Sequence, residues 1–192
     1  DTYTLGREAY GRMNIFREAG LSTGRPYWCY LNGYAEAGEE RLAGPTAMRW
    51  TAFAHALFGY TGYTWFLYQI DPAHGLRSAF FQRTHDFDAP RTDRYAVAAQ
   101  INRELANLGR ALTQLRSTGV GYVPALSFAG LELPPGVPAW TPGVGGDPYL
   151  VAVETPSALQ DLVVGLFEDS HGDHYVMVQN PNHQGGTTRA LL

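Results

Sequence analysis

PYWCYLNGY, residues 26–34, and YTWFLYQ, residues 63–69, are aromatic and almost continuously apolar. Runs of this kind read as strands buried on both faces, the pattern of a parallel sheet. Asn32-Gly33 ends the first run. Between the two lies Thr46–Phe58, whose Met48, Trp50, Phe53, Ala54, Leu57 and Phe58 supply the apolar side of a helix. Thr46, after Pro45, is the expected N-cap, and Gly59–Gly62 breaks the helix. Upstream, residues 5–19 read as another helix, with Tyr10, Met13, Ile15, Phe16 and Ala19 as its stripe and Gly20 as its stop. Residues 5–69 therefore run helix, strand, helix, strand, a parallel-sheet rhythm. Strands 26–32 and 63–69 are expected to lie side by side and parallel.

Outward from this block, residues 35–45 form a polar loop carrying Glu36, Glu39 and Glu40. Ile70–Asp93 is long, irregular and rich in Pro, His, Asp and Arg, a profile common in lids and binding loops. Arg94–Leu115 carries the clearest helical pattern, with Val97, Ile101, Leu105, Leu108, Leu112 and Leu115 on one side. After Val120 the periodicity changes to short β runs: GYVPAL, PYLVAVET, LVVGLFED and HYVMVQN. Gly- and Pro-rich segments separate them, notably 133–148. Residues 162–169 and 174–180 are expected to pair as a hairpin around His171-Gly172-Asp173. The predicted organisation is an α/β unit over 1–118 and an antiparallel β unit over 119–192, joined at Arg116–Gly119.

The 192 residues are 45% apolar and 17% charged, enough to bury a core and too apolar for disorder. A net charge of −4 argues against a nucleic-acid footprint. All 14 basic side chains are arginine, which reads mainly as a coding bias. Cys29 alone allows no intrachain disulfide and no cysteine-only zinc site. No run is long and apolar enough to span a membrane, and no secretory signal pattern is visible. The chain starts at Asp1, without a methionine, almost directly in a helical pattern, so either a processing boundary or a longer parent protein is expected. The 12 Tyr, 9 Phe and 4 Trp suit core packing, and also sugar binding, where pyranose C–H faces stack on rings.

Four blocks carry a family resemblance: PYWCYLNGY, GPTAMRWTAFAHALFGYTGYTWFLYQ, YAVAAQINRELANLGRALTQL and LVVGLFEDSHGDHYVMVQNPN. In this order and spacing, over most of residues 5–182, they resemble the C-terminal part of β-galactosidase-like glycoside hydrolases of the clan A type. The resemblance implies the terminal units of a (β/α)8 barrel, followed by a small antiparallel β-sandwich. Strand 26–32 would be the seventh of the barrel, strand 63–69 the eighth, and 94–115 the last outer helix. The implied activity is hydrolysis of O-glycosidic bonds, without a cofactor, at the C-terminal mouth of the barrel. The implied partners are a carbohydrate substrate and the missing N-terminal barrel segment of the same protein. Retaining members need two carboxyl groups about 5–5.5 Å apart. They come from the ends of the fourth and seventh strands. The fourth strand is not in this sequence, and at the end of the seventh, where the family has a Glu, this sequence has Tyr30-Leu31-Asn32-Gly33-Tyr34.

On this reading Glu36 and Asp71 are the candidate catalytic carboxylates, and Tyr30, Asn32, Tyr68 and Gln69 the candidate substrate contacts. These four lie near the strand ends, where barrel sites are built. Asn32 and Gln69 are amides suited to sugar hydroxyls. Each has a structural alternative. Trp28, Tyr30, Trp65 and Tyr68 would equally fill a core, Glu36 with Glu39 and Glu40 would equally be a solvated loop, and Asp71 before Pro72 would equally cap a turn. His74 and His85 read as surface residues and His55 as structural. His171 and His174 suggest a metal, but their spacing across a hairpin tip does not converge and no third ligand is evident. No metal is therefore expected. No phosphate loop, serine elbow or HExxH motif occurs. The alternative function is a non-catalytic carbohydrate-binding or structural module derived from such an enzyme. The compartment is open between secreted and cytoplasmic in a bacterium.

Overall fold

The computed structural model describes residues 2–36, 44–66, 76–78, 80–83, 86, 88–125, 133–154 and 161–181, with the side chains of 2–7, 35–36 and 76–78 left out. The elements are α1 (Thr2–Thr23), β1 (Trp28–Asn32), β2 (Tyr34–Glu36), α2 (Pro45–Leu57), β3 (Gly62–Phe66), β4 (Leu76–Ser78), α3 (Asp93–Leu112), β5 (Arg116–Val123), β6 (Leu162–Glu168) and β7 (His174–Gln179). The chain divides into two compact units: Trp28–Phe53 with Gly62–Arg110, and Asp1–Tyr27 with Ala54–Thr61 and Ala111–Leu192.

In the first unit β1 and β3 pair in parallel, Trp28 opposite Gly62 through Asn32 opposite Phe66. This is the expected strand pair, with α2 in the connection. Pro45 opens α2 and the Gly44 carbonyl accepts the Met48 amide. Thr46 therefore sits inside the first turn rather than capping it. Proline suits that first position because its missing N–H would be unpaired there anyway. Tyr63 Oη and Trp65 Nε1 both donate to Asn102 Oδ1 on α3, each at 2.9 Å. Arg49 of α2 grips Glu104 of α3 with two bonds, at 3.1 and 2.7 Å.

Part of the 70–93 stretch is tied down. β4 pairs antiparallel with β2. Phe80 is 1% exposed, its ring meeting Trp65 and Tyr95. The Phe80 carbonyl accepts the Thr92 amide at 2.9 Å. Apolar residues at 80 and 81 thus anchor a segment whose polar composition suggested a lid.

The second unit holds an antiparallel sheet in the order β5–β6–β7. The β6–β7 hairpin forms as expected, with Gly172 at φ +86°. The Asp169 side chain closes its loop by accepting the amides of His171 and Asp173. β5 begins at Arg116, so residues 116–119 are strand. β6, LVVGLFE, is buried on both faces, which explains its continuous apolar run. On one face Leu162, Val164 and Leu166 pack with Val153, Trp140, Val144 and Leu150. The cover on this face is the irregular 133–153 segment, including the Gly/Pro-rich run. Among the described residues there is one three-stranded sheet here. Residues 148–154 lack a regular strand, and among the described residues neither a second sheet face nor a closed barrel is observed.

α1 also departs from expectation. Its buried side is Tyr10, Met13, Asn14, Arg17 and Gly20, whereas Ile15 and Phe16 are 66% and 61% exposed. The polar pair is inside because it has partners. Asn14 Nδ2 donates to the Gly136 carbonyl at 2.8 Å, and Arg17 Nε donates to Ser117 Oγ at 2.7 Å. Hydrogen-bonded polar groups can occupy positions that hydrophobicity alone would assign elsewhere.

Candidate functional site: the aromatic face of the parallel strand pair

Side chains alternate across a strand, and residues opposite one another in a parallel pair share a face. Trp28, Tyr30 and Asn32 therefore lie with Gly62, Thr64 and Phe66 on one face. Cys29, Leu31, Tyr63 and Trp65 lie on the other, from which the Asn102 bonds are made. The first face is open. Trp28 is 67% exposed, Tyr30 72% and Phe66 43%. This corrects the expectation of burial on both sides: only Leu31, at 1%, is fully buried in β1.

The rings on the open face are ordered against one another. Tyr30 meets Phe66 edge-on at 5.6 Å, and Tyr34 meets the same ring at 6.2 Å. The Trp28 indole lies over Gly62, within 2.6 Å of where a Cβ would stand. At the strand end the Gly33 amide donates to the Phe66 carbonyl at 2.6 Å, and Asn32 Oδ1 accepts the Tyr34 amide at 3.1 Å. The Asn32 oxygen is thus occupied by the turn, and its NH2 group is the part suited to an external acceptor. The arrangement presents four aromatic rings, Trp28, Tyr30, Tyr34 and Phe66, and an amide, chemistry suited to stacking a flat, hydroxylated ligand.

Of the expected site residues, the structure brings together Tyr30 and Asn32. Glu36 is placed by its backbone in β2, opposite Leu76, and its side chain lies outside the description. Tyr68, Gln69 and Asp71, with His74 and His85, lie outside the described residues. Trp28, Tyr34 and Phe66 belong to the open face although they were not singled out as contacts. Residue parity was the available signal, since Trp28 and Tyr30 share it and Phe66 falls opposite Asn32. The other side of β3 offers little room: the niche among Trp65, Phe80, Tyr95, Ala98 and Asn102 encloses about 80 Å³, well below the usual size of ligand pockets.

Desolvation raises the Cys29 thiol to about 12, so it remains protonated and is no nucleophile at neutral pH. His171 and His174 do not converge. His171 Nδ1 stands 3.7 Å from Asp169, and His174 Nδ1 3.0 Å from Asp147. Among the described residues no group of three His, Cys, Asp or Glu could hold a metal ion, and no helix is long and apolar enough to cross a membrane. No family model, curated protein or solved structure matches the chain.

Proposed function

We propose that the chain is the C-terminal portion of a glycoside hydrolase and binds carbohydrate on the β1–β3 aromatic face. The observation that carries this reading is the exposure of Trp28, Tyr30 and Phe66 together on one face of a parallel strand pair. Parallel sheets normally have both faces covered. A β–α–β unit with one open aromatic face suits the last units of a (β/α)8 barrel, whose remaining strands would come from chain outside these residues. The three-stranded sheet would then be one half of the appended sandwich. In this account the rings stack a pyranose and Asn32 and Gln69 hydrogen-bond its hydroxyls. Glu36 or Asp71 supplies one carboxylate to a reaction with an oxocarbenium-like transition state.

The second reading, a non-catalytic carbohydrate-binding module, is favoured by one observation. β1 ends in Asn32, an amide whose oxygen is engaged by its own turn, and an amide cannot act as a nucleophilic carboxylate. Hydrolysis of lactose and of p-nitrophenyl β-galactoside by the protein with its N-terminal portion separates the two. Under the enzyme reading, Glu36→Gln or Asp71→Asn lowers kcat by about 100-fold, the scale of losing a positioned proton carrier. Full kcat in both, with weaker sugar binding in Tyr68→Ala, selects the module. Neither hydrolysis nor sugar binding in the unmodified protein rejects both.

A further inference from the structure

The segment between β5 and β6 and the β6–β7 hairpin build a second recess. Tyr149, Gly172, Asp173, His174 and Tyr175 line an open cleft of about 440 Å³. Asp147 organises it. Its Oδ1 accepts the amides of Tyr149 and Leu150, both at 2.8 Å, which fixes the loop that carries Tyr149. Its Oδ2 pairs with His174 Nδ1 at 3.0 Å. Desolvation would raise the Asp147 carboxyl, but the two amides and His174 more than offset it, so the group is held below the ordinary aspartate range and stays ionised.

An ionised carboxylate accepts only, so the Nδ1–H of His174 donates to it, and Nε2 is the ring nitrogen that this pairing leaves unused. The Tyr149 ring stands edge-on to His174 at 5.0 Å, yet is itself 73% exposed. Tyr175 is fixed from behind, its Oη donating to Asp169 Oδ2 at 3.1 Å. The Tyr149 ring, held at its backbone but left in water beside the imidazole and the exposed Asp173, contributes little to packing and has a face open to a ligand.

We propose that this cleft is a second carbohydrate subsite, taking a neutral pyranose that stacks on Tyr149 while its hydroxyls hydrogen-bond His174 Nε2 and donate to the Asp173 carboxylate. A polyol suits it because hydroxyls both donate and accept, so they match the carboxylate and the imidazole nitrogen alike. The inference rests on the proposed carbohydrate function and adds a subsite in the other compact unit.

The test is a series of amide-resonance titrations of the 192-residue chain with lactose, cellotetraose and galactotetraose at millimolar concentrations. N-acetylarginine amide serves as a cationic probe. The expected result is a shift of Tyr149 and of residues 173–175 with at least one sugar. Affinity there falls about tenfold in Tyr149→Ala, the size of one lost stacking contact. It is unchanged in Tyr149→Phe and in Trp28→Ala. Tyr149 is exposed, so the alanine variant should keep the parent Tm. Sugar-induced shifts confined to residues 28–34 and 62–66 would overturn the subsite and leave the proposed function standing. No shift at either place would overturn both. A stronger response at 173–175 to the arginine amide than to any sugar would overturn the subsite in favour of a cation-binding cleft.

Discussion

Arg17 is 7% exposed, and its guanidinium is spent on Ser117 Oγ, the Ser117 carbonyl and Asn14 Oδ1. Desolvation lowers its pKa, with Tyr27 and Glu18 acting the other way. Two positions along the same helix, Ile15 is in water. Replacing Arg17 with Met should cost about 2 kcal/mol or more, because Ser117 is buried and loses its donor. Ile15→Ala or Phe16→Ala should stay within about 0.5 kcal/mol. Urea midpoints of the three variants check this, and equal effects would contradict it.

Asp147 gives a pH prediction of the same kind. Its folded pKa lies below the unfolded value, so its contribution is complete above the unfolded pKa. It is lost as pH falls through the folded one. Urea unfolding should therefore find Asp147→Asn clearly less stable than the parent at pH 6, with the gap closing as the pH falls below about 4. A gap that widens in acid would contradict the pairing.

At the scale of elements, β6 and the β1–β3 pair show what a sequence exposes and what it conceals. Continuous runs announced the strands, the helix between β1 and β3 announced their parallel pairing, and His171-Gly172-Asp173 announced the hairpin. The runs did not announce which faces are covered. β6 has the same unbroken apolar character as β1, yet only β6 is enclosed, because burial is decided by what packs across from a strand. The irregular 133–153 segment was unreadable for the converse reason. Its cover is made by Trp140, Val144, Leu150 and Val153 without a period. α1 misled because its inside carries Asn14 and Arg17 with distant hydrogen-bond partners, which no periodicity reveals.

Gly165 tests the enclosure of β6. A Cβ there would run into the Leu57 carbonyl at the end of α2. Gly165→Ala should therefore destabilise by roughly 1–3 kcal/mol, the usual cost of overpacking, read as a lower Tm. A neutral substitution would show that α2 and β6 are not in close contact.

For the whole molecule, two compact units each present an aromatic surface: Trp28, Tyr30 and Phe66 on one, Tyr149 with His174 and Tyr175 on the other. Of the candidate site, the shared face of Tyr30 and Asn32 was legible in the alternation of side chains along a strand. The candidate carboxylates Glu36 and Asp71 were legible only as residue types near the strand ends, since a loop side chain's direction is not encoded in spacing. The central claim is that the open β1–β3 face binds sugar. Its most direct measurement is calorimetric titration of the 192-residue chain with lactose and cellotetraose, beside the Trp28→Ala/Tyr30→Ala double variant. Both side chains are largely exposed, so the variant should fold with an unchanged Tm. The account predicts binding of at least one sugar by the parent, weakened tenfold or more in the variant, about the loss expected from two stacking contacts. Equal affinity in the two proteins, or no binding by the parent at millimolar sugar, would contradict it.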